Sequence, residues 1–175
     1  LGLKVTVKLT HSNEDIFGAS MSKGIRLKAI GPEDLTTISA CLQDAVIKVG
    51  DIAFIPKLFR FAFVGNRFCW ENNSFNKIGK RSRCAGRFEN VLKTRSLNLP
   101  TNLTDHVLNL LSIHQEVNEN GTATITLLFS GNASIQLDVE CIEMYLEDIS
   151  EPWLTKNTPQ HDSEDRKIGD ESFET

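Results

Sequence analysis

Apolar residues recur at every second position through most of this chain, the pattern of strands with one buried face. The clearest run is Phe59, Phe61 and Phe63, alternating with Arg60, Ala62 and Val64. Gly65-Asn66 reads as a tight turn after it. Residues 67–71 then read as the returning strand, with Phe68 and Trp70 on one side and Arg67, Cys69 and Glu71 on the other. Upstream, residues 26–30 predict a short strand, broken by Gly31-Pro32. Leu35, Ile38 and Leu42 follow at helical spacing, with Cys41 on the same side and Asp34 in the first turn, where a carboxylate suits the unpaired amides. That helix is expected to end near Asp44. Residues 45–49 and 52–55 predict two strands joined by a turn at Gly50-Asp51, and Pro56 to Leu58 breaks the pattern.

Residues 72–82 are polar and aperiodic, and predict a long loop. Cys84, Gly86 and Phe88 then alternate with Arg83, Ala85 and Arg87, and a further extension runs from Val91 to Leu99. Residues 107–115 read as a strand, with a short helix as the alternative. Ala123, Ile125, Leu127 and Phe129 alternate with threonines, and Gly131-Asn132 turns the chain into Ile135, Leu137 and Val139. After Glu140, the residues Ile142, Tyr145, Leu146 and Ile149 fall at helical spacing and predict a C-terminal helix. The expected class is α+β: mainly antiparallel β-sheet hairpins, with one helix near the N-terminus and one at the C-terminus. Each half runs as an apolar stretch, a hairpin and an acid. That echo admits duplicated pleckstrin-homology-like or split-barrel units, with coincidence of ordinary hairpins as the alternative.

Three segments follow from composition. Residues 1–22 read as an extension or a mistaken upstream segment, Met21 being one reading of the native start and an extra edge strand through Leu3, Val5, Val7 and Leu9 another. Residues 23–154 form the compact body, with a division into two subdomains near 72–82 as one option. Residues 155–175 read as a polar tail, and Trp153 is expected to dock just before it. With 175 residues, 40% of them hydrophobic, the chain can build a core without metal or disulfide. A net charge of −4 disfavours a strongly basic nucleic-acid binder. Four cysteines, none in a CxxC pair, are expected to stay reduced. With no signal-like leader and no run near the roughly 18 apolar residues of a membrane span, a cytoplasmic protein without membrane contact is expected.

The run Leu42-Gln43-Asp44-Ala45-Val46-Ile47-Lys48-Val49-Gly50-Asp51 leads into Arg60-Phe61-Ala62 and Asn66-Arg67-Phe68-Cys69-Trp70-Glu71. With Val107-Leu108-Asn109-Leu110-Leu111 and Val139-Glu140-Cys141-Ile142-Glu143, it resembles an uncharacterised family of small alphaproteobacterial proteins, domain of unknown function 2948. The resemblance covers roughly residues 23–162. It implies a bacterial cytosolic protein and carries no activity, cofactor or catalytic residue.

The strongest chemical pattern is basic. Lys77, Lys80, Arg81, Arg83, Arg87, Lys93 and Arg95 lie within nineteen residues, with Glu89 the only acid among them. Arg81, Arg83 and Arg87 share a strand face, and Arg60 and Arg67 join them if the aromatic hairpin pairs nearby. Guanidinium forks suit phosphate, RNA or an acidic protein surface, against an ordinary solvated face. A non-enzymatic binding module is therefore expected, using Arg60, Arg67, Arg81, Arg83 and Arg87 to contact a protein partner or an anionic ligand. A homodimer is a further option, and RNA or a phosphorylated ligand a weaker one. The alternative is a small hydrolase-type or metal-dependent enzyme built on Asp138, Glu140 and Glu143, which cluster near the last strand. His106 and His114, eight residues apart on one strand, would stand about 26 Å from each other and cannot share a zinc ion. No cofactor, metal ligand or catalytic residue is otherwise indicated. Cys69 is the thiol that the pattern singles out for a reactivity test.

Overall fold

The computed structural model describes residues 24–72, 79–156 and 159. Strand β1 (Arg26–Ala29) leads into helix α1 (Pro32–Leu42). The strands that follow are β2 (Ala45–Ile55), β3 (Arg60–Phe68), β4 (Gly79–Phe88), β5 (Val91–Leu97), β6 (Val107–Val117), β7 (Ala123–Phe129), β8 (Ser134–Val139), β9 (Met144–Asp148) and β10 (Trp153–Thr155). They pair antiparallel in the order β1-β9-β4-β3-β2-β6-β7-β8-β5, with β10 beside the first residues of β4. The class is thus the mainly antiparallel α+β that the alternation predicts.

Local chemistry explains α1. Pro32 sits where a missing N–H costs nothing, and Asp34 accepts the Ile30 N–H at 3.1 Å. Leu35, Ile38 and Leu42 are buried, as their spacing requires. The Ser39 hydroxyl accepts the Ile113 N–H at 2.8 Å and fastens the helix to β6. A continuous core joins Phe61, Phe63 and Phe88 to Leu108, Leu110, Ile125, Leu127 and Leu137. Trp153 does not dock as expected: the backbone of β10 pairs with Gly79 to Arg81, but the indole itself is exposed.

Several expected features differ. Gly50-Asp51 is not a turn: β2 runs through it, with an irregular register between Ile47 and Ile52. The Gly50 N–H bonds Thr104 O at 2.8 Å, so the glycine marks a close crossing of two backbones. Gly65-Asn66 is not a turn either, because β3 continues to Phe68. A Cβ at Gly65 would lie 2.8 Å from Ile47 Cγ1 and 3.0 Å from Val46 O, so the residue serves the approach of β2.

The expected C-terminal helix is replaced over Met144–Asp148 by β9. The helical spacing of Ile142, Tyr145, Leu146 and Ile149 competes with a two-residue alternation of Met144 and Leu146 against Tyr145 and Glu147. Strand edges on β1 and β4 satisfy the backbone of β9 on both sides, and Met144 and Leu146 become fully buried. The pleckstrin-homology-like and split-barrel comparisons both included that final helix. The loop expected at 72–82 overlaps β4 from Gly79; residues 73–78, the extension at 1–22 and most of the polar tail lie outside the described residues.

Candidate ligand-binding groove

Alternation along β3 and β4 decides which arginines reach the surface. Phe61, Phe63, Gly65 and Arg67 take the core face of β3, while Arg60, Ala62 and Val64 take the other. On β4, Ser82, Cys84, Gly86 and Phe88 are buried, and Arg83, Ala85 and Arg87 share the outer face with Arg81. The register aligns Ala53, Ala62, Arg87, Tyr145 and Lys28 as one row across β2, β3, β4, β9 and β1. The next row aligns Val64, Ala85, Glu147 and Arg26.

Small side chains in these rows leave a trough on the sheet surface. Its volume is about 690 Å³, and its lining includes Ala53, Ala62, Val64 and Ala85 with Arg60, Arg87, Tyr145 and Asp51. Glu89 organises one end. Its Oε1 lies 3.0 Å from Arg60 Nη2 and 3.1 Å from Arg87 Nε. Two guanidiniums thus share one carboxylate, and their side chains remain 34% and 48% exposed. The Arg87 Cζ stands 4.4 Å from the Tyr145 ring centroid, and Lys28 Nζ 5.0 Å from it. The Tyr145 hydroxyl donates to Glu143 Oε1 at 2.6 Å, and Lys28 pairs with the same oxygen at 3.1 Å. Those two contacts hold the Glu143 carboxyl below the ordinary carboxylate value, against the smaller effect of burial. Arg26 and Glu147 form a further ion pair beside the trough.

The five arginines singled out by the sequence separate into different roles. Arg60 and Arg87 come together at the groove. Arg83 lies on the same sheet face, exposed, but does not line the groove. Arg81 donates to Asp44 O at 3.2 Å and Asn66 O at 3.1 Å, and its guanidinium lies 5.8 Å from the Phe68 ring centroid. It braces the backbone. Arg67 is the correction: it is fully buried rather than exposed. Its Nε bonds Asp148 Oδ1 at 2.7 Å, its Nη2 bonds Asp148 Oδ2 at 2.8 Å and Glu71 Oε1 at 2.6 Å, and its Nη1 reaches Glu71 Oε2 at 3.1 Å. The physical reason is the uninterrupted β3. Without a turn at Gly65-Asn66, the two-residue period carries Arg67 to the phenylalanine side.

The acidic residues do not share a cleft. Asp138 accepts from Arg95 at 2.6 Å, Glu140 is exposed, and Glu143 is occupied by Tyr145, Lys28 and Asn90. None of the three lines the groove. Among the described residues, no group of three or more His, Cys, Asp or Glu is placed to hold a metal ion, and no helix is long and apolar enough to cross a membrane. Sequence reasoning did not find Asp51 or Tyr145 as groove residues, nor Glu89 as the anchor of the two arginines. The available signal was the repeated small residue opposite the aromatic face, at Ala53, Ala62 and Ala85, which leaves space on a sheet surface.

These features define an α+β protein whose antiparallel sheet carries a shallow, charge-edged trough on its solvent face. The chain belongs to the family described as protein of unknown function (DUF2948), whose model matches residues 25–161. No curated protein and no solved structure matches it.

Proposed function

We propose that this protein is a cytoplasmic, non-enzymatic binding module that receives an anionic ligand in the trough, with Arg60 and Arg87 as the anion-binding pair. One observation carries the reading: both guanidiniums are anchored by the single Glu89 carboxylate while remaining partly exposed at the groove. Anchoring reduces the rotamer freedom lost on binding, and the pair retains one net positive charge for an incoming anion. The adjoining floor of Ala53, Ala62 and Ala85 admits an uncharged body close to the backbone. The cytoplasmic setting draws support from four free thiols. A split-barrel arrangement is the finer architectural reading. The Val91 N–H to Phe59 O bond at 2.8 Å, which ties the start of β5 to the β2–β3 connection, supports it.

Octanoate and neutral octanol test the reading by backbone amide shift perturbation. Octanoate is expected to shift Ala62, Ala85, Arg87 and Tyr145, and octanol to shift them far less. Arg60→Gln with Arg87→Gln removes the response, whereas Arg83→Gln retains it. Absence of any octanoate-induced shift at these amides rejects the anion-binding assignment.

A further inference from the structure

The charges around the trough are not uniform. At one end stand Arg60 and Arg87, sharing Glu89. At the other stands Asp51, exposed on β2 and lining the same trough, with no ion pair or hydrogen bond among the described residues. Between them lie the small side chains of Ala53, Ala62 and Val64. Asp51 comes just before Ile52, which pairs with Phe63, and Arg60 pairs with Ile55. Four residues of strand rise and one strand-to-strand step therefore separate the Asp51 and Arg60 backbones by roughly 14 Å. Allowing about 3 Å of contact distance at each end leaves a span on the order of 10 Å for a ligand lying over the floor between them. Glu147 beside Ala85 is already paired with Arg26, so Asp51 is the carboxylate left to receive a cation at that end.

Resting on the anion-binding reading above, we infer that the trough selects an elongated zwitterion: a carboxylate held by Arg60 and Arg87, an ammonium held by Asp51, and about 10 Å of slender, uncharged chain between them. Complementarity at both ends fixes the ligand's direction as well as its length. A ligand too short reaches one end only, and a ligand with bulky substituents in the middle meets the sheet backbone. An ω-amino acid and a short peptide with free termini share this chemistry.

Isothermal titration with 8-aminooctanoate, trialanine, octanoate and octylamine tests the inference. Of these, 8-aminooctanoate is expected to bind about fivefold more tightly than octanoate, the upper end of what an exposed ion pair supplies. Asp51→Asn, at an exposed position with no ion pair or hydrogen bond among the described residues, should abolish that gain, so that 8-aminooctanoate and octanoate bind the variant alike. The larger gain of 8-aminooctanoate or of trialanine assigns the source as an ω-amino acid or a peptide. Equal affinities for octanoate and both zwitterions, unaffected by Asp51→Asn, would overturn the inference while leaving the anion-binding reading intact. Failure of octanoate, trialanine and 8-aminooctanoate alike to bind would remove both.

Discussion

Arg67 and Asp148, 81 residues apart in the chain, meet through two hydrogen bonds of 2.7 and 2.8 Å inside the protein. Asp148 is itself nearly buried, and its Oδ2 also accepts the Ile25 N–H at 3.0 Å. One carboxylate therefore ties together β3, β9 and the segment entering β1. Burial lowers the Arg67 proton affinity, but its bonds to Asp148 and Glu71 outweigh that effect and keep it charged.

Asp148→Ala takes the more buried of its two carboxylate partners from Arg67, leaving its Nε unpaired, and frees the Ile25 amide. Such a loss is expected to cost about 3–5 kcal/mol of stability. Urea denaturation of both proteins measures it. A change below about 1 kcal/mol, the ordinary worth of an exposed pair, would contradict a buried anchoring role.

Acid should loosen the same network from its open side. Burial raises the Glu71 carboxyl, yet hydrogen bonds from Arg67 and the backbone, with the Arg67 charge, hold it below the ordinary 4.5. A lowered folded value means that the stabilisation is complete above the unfolded value and lost as pH falls through the folded one. Stability contributed by Glu71 is therefore expected to be constant from pH 7 to about 5 and to decline below 4.5. Urea midpoints across this range should fall less steeply for Glu71→Gln. Because Glu71 is 42% exposed, solvent screening keeps the difference small.

Gly86 and Phe63 form a contact that tolerates no added methyl group. A Cβ on Gly86 would stand 2.3 Å from the Phe63 Cζ. Gly86→Ala is expected to destabilise by about 1–3 kcal/mol through overpacking. Thermal denaturation should also show partial rescue when Phe63→Leu is added, and independent, additive effects would argue against direct contact.

Thiol labelling should single out Cys141. It is exposed, whereas burial pushes the Cys84 thiol up to about 12 and also raises Cys41 and Cys69. Cys69, the thiol that attracts attention in sequence, is 2% exposed. In the folded protein a disulfide reagent is expected to label Cys141 fastest, and Cys141→Ser should remove that fast phase. Fast labelling of Cys69 in the variant would mean that its shielding is absent.

Much of the fold was legible because the apolar alternation is local. Helix α1, the β7–β8 hairpin and the inward phase of Cys84, Gly86 and Phe88 follow from spacing alone. The two glycine turns were misread because a glycine that permits close backbone approach looks, in sequence, like one that permits a turn. Residues 144–148 satisfied both periods, and only the partners on either side of β9 chose between them. For the groove, Arg60 and Arg87 were visible as candidates, but Asp51, Glu89 and Tyr145 came from distant segments.

By itself, the order of residues determined which positions prefer a buried face, where the helix starts, and which cations share β4. Those are consequences of side-chain chemistry repeated at two or three-to-four residues. Tertiary structure decided that Arg67 lies inside, that Tyr145 belongs to a strand, and that Arg60 and Arg87 meet at Glu89. Pairing across the sheet sets strand register and brings remote charges together, and neither is encoded in the spacing of any single segment.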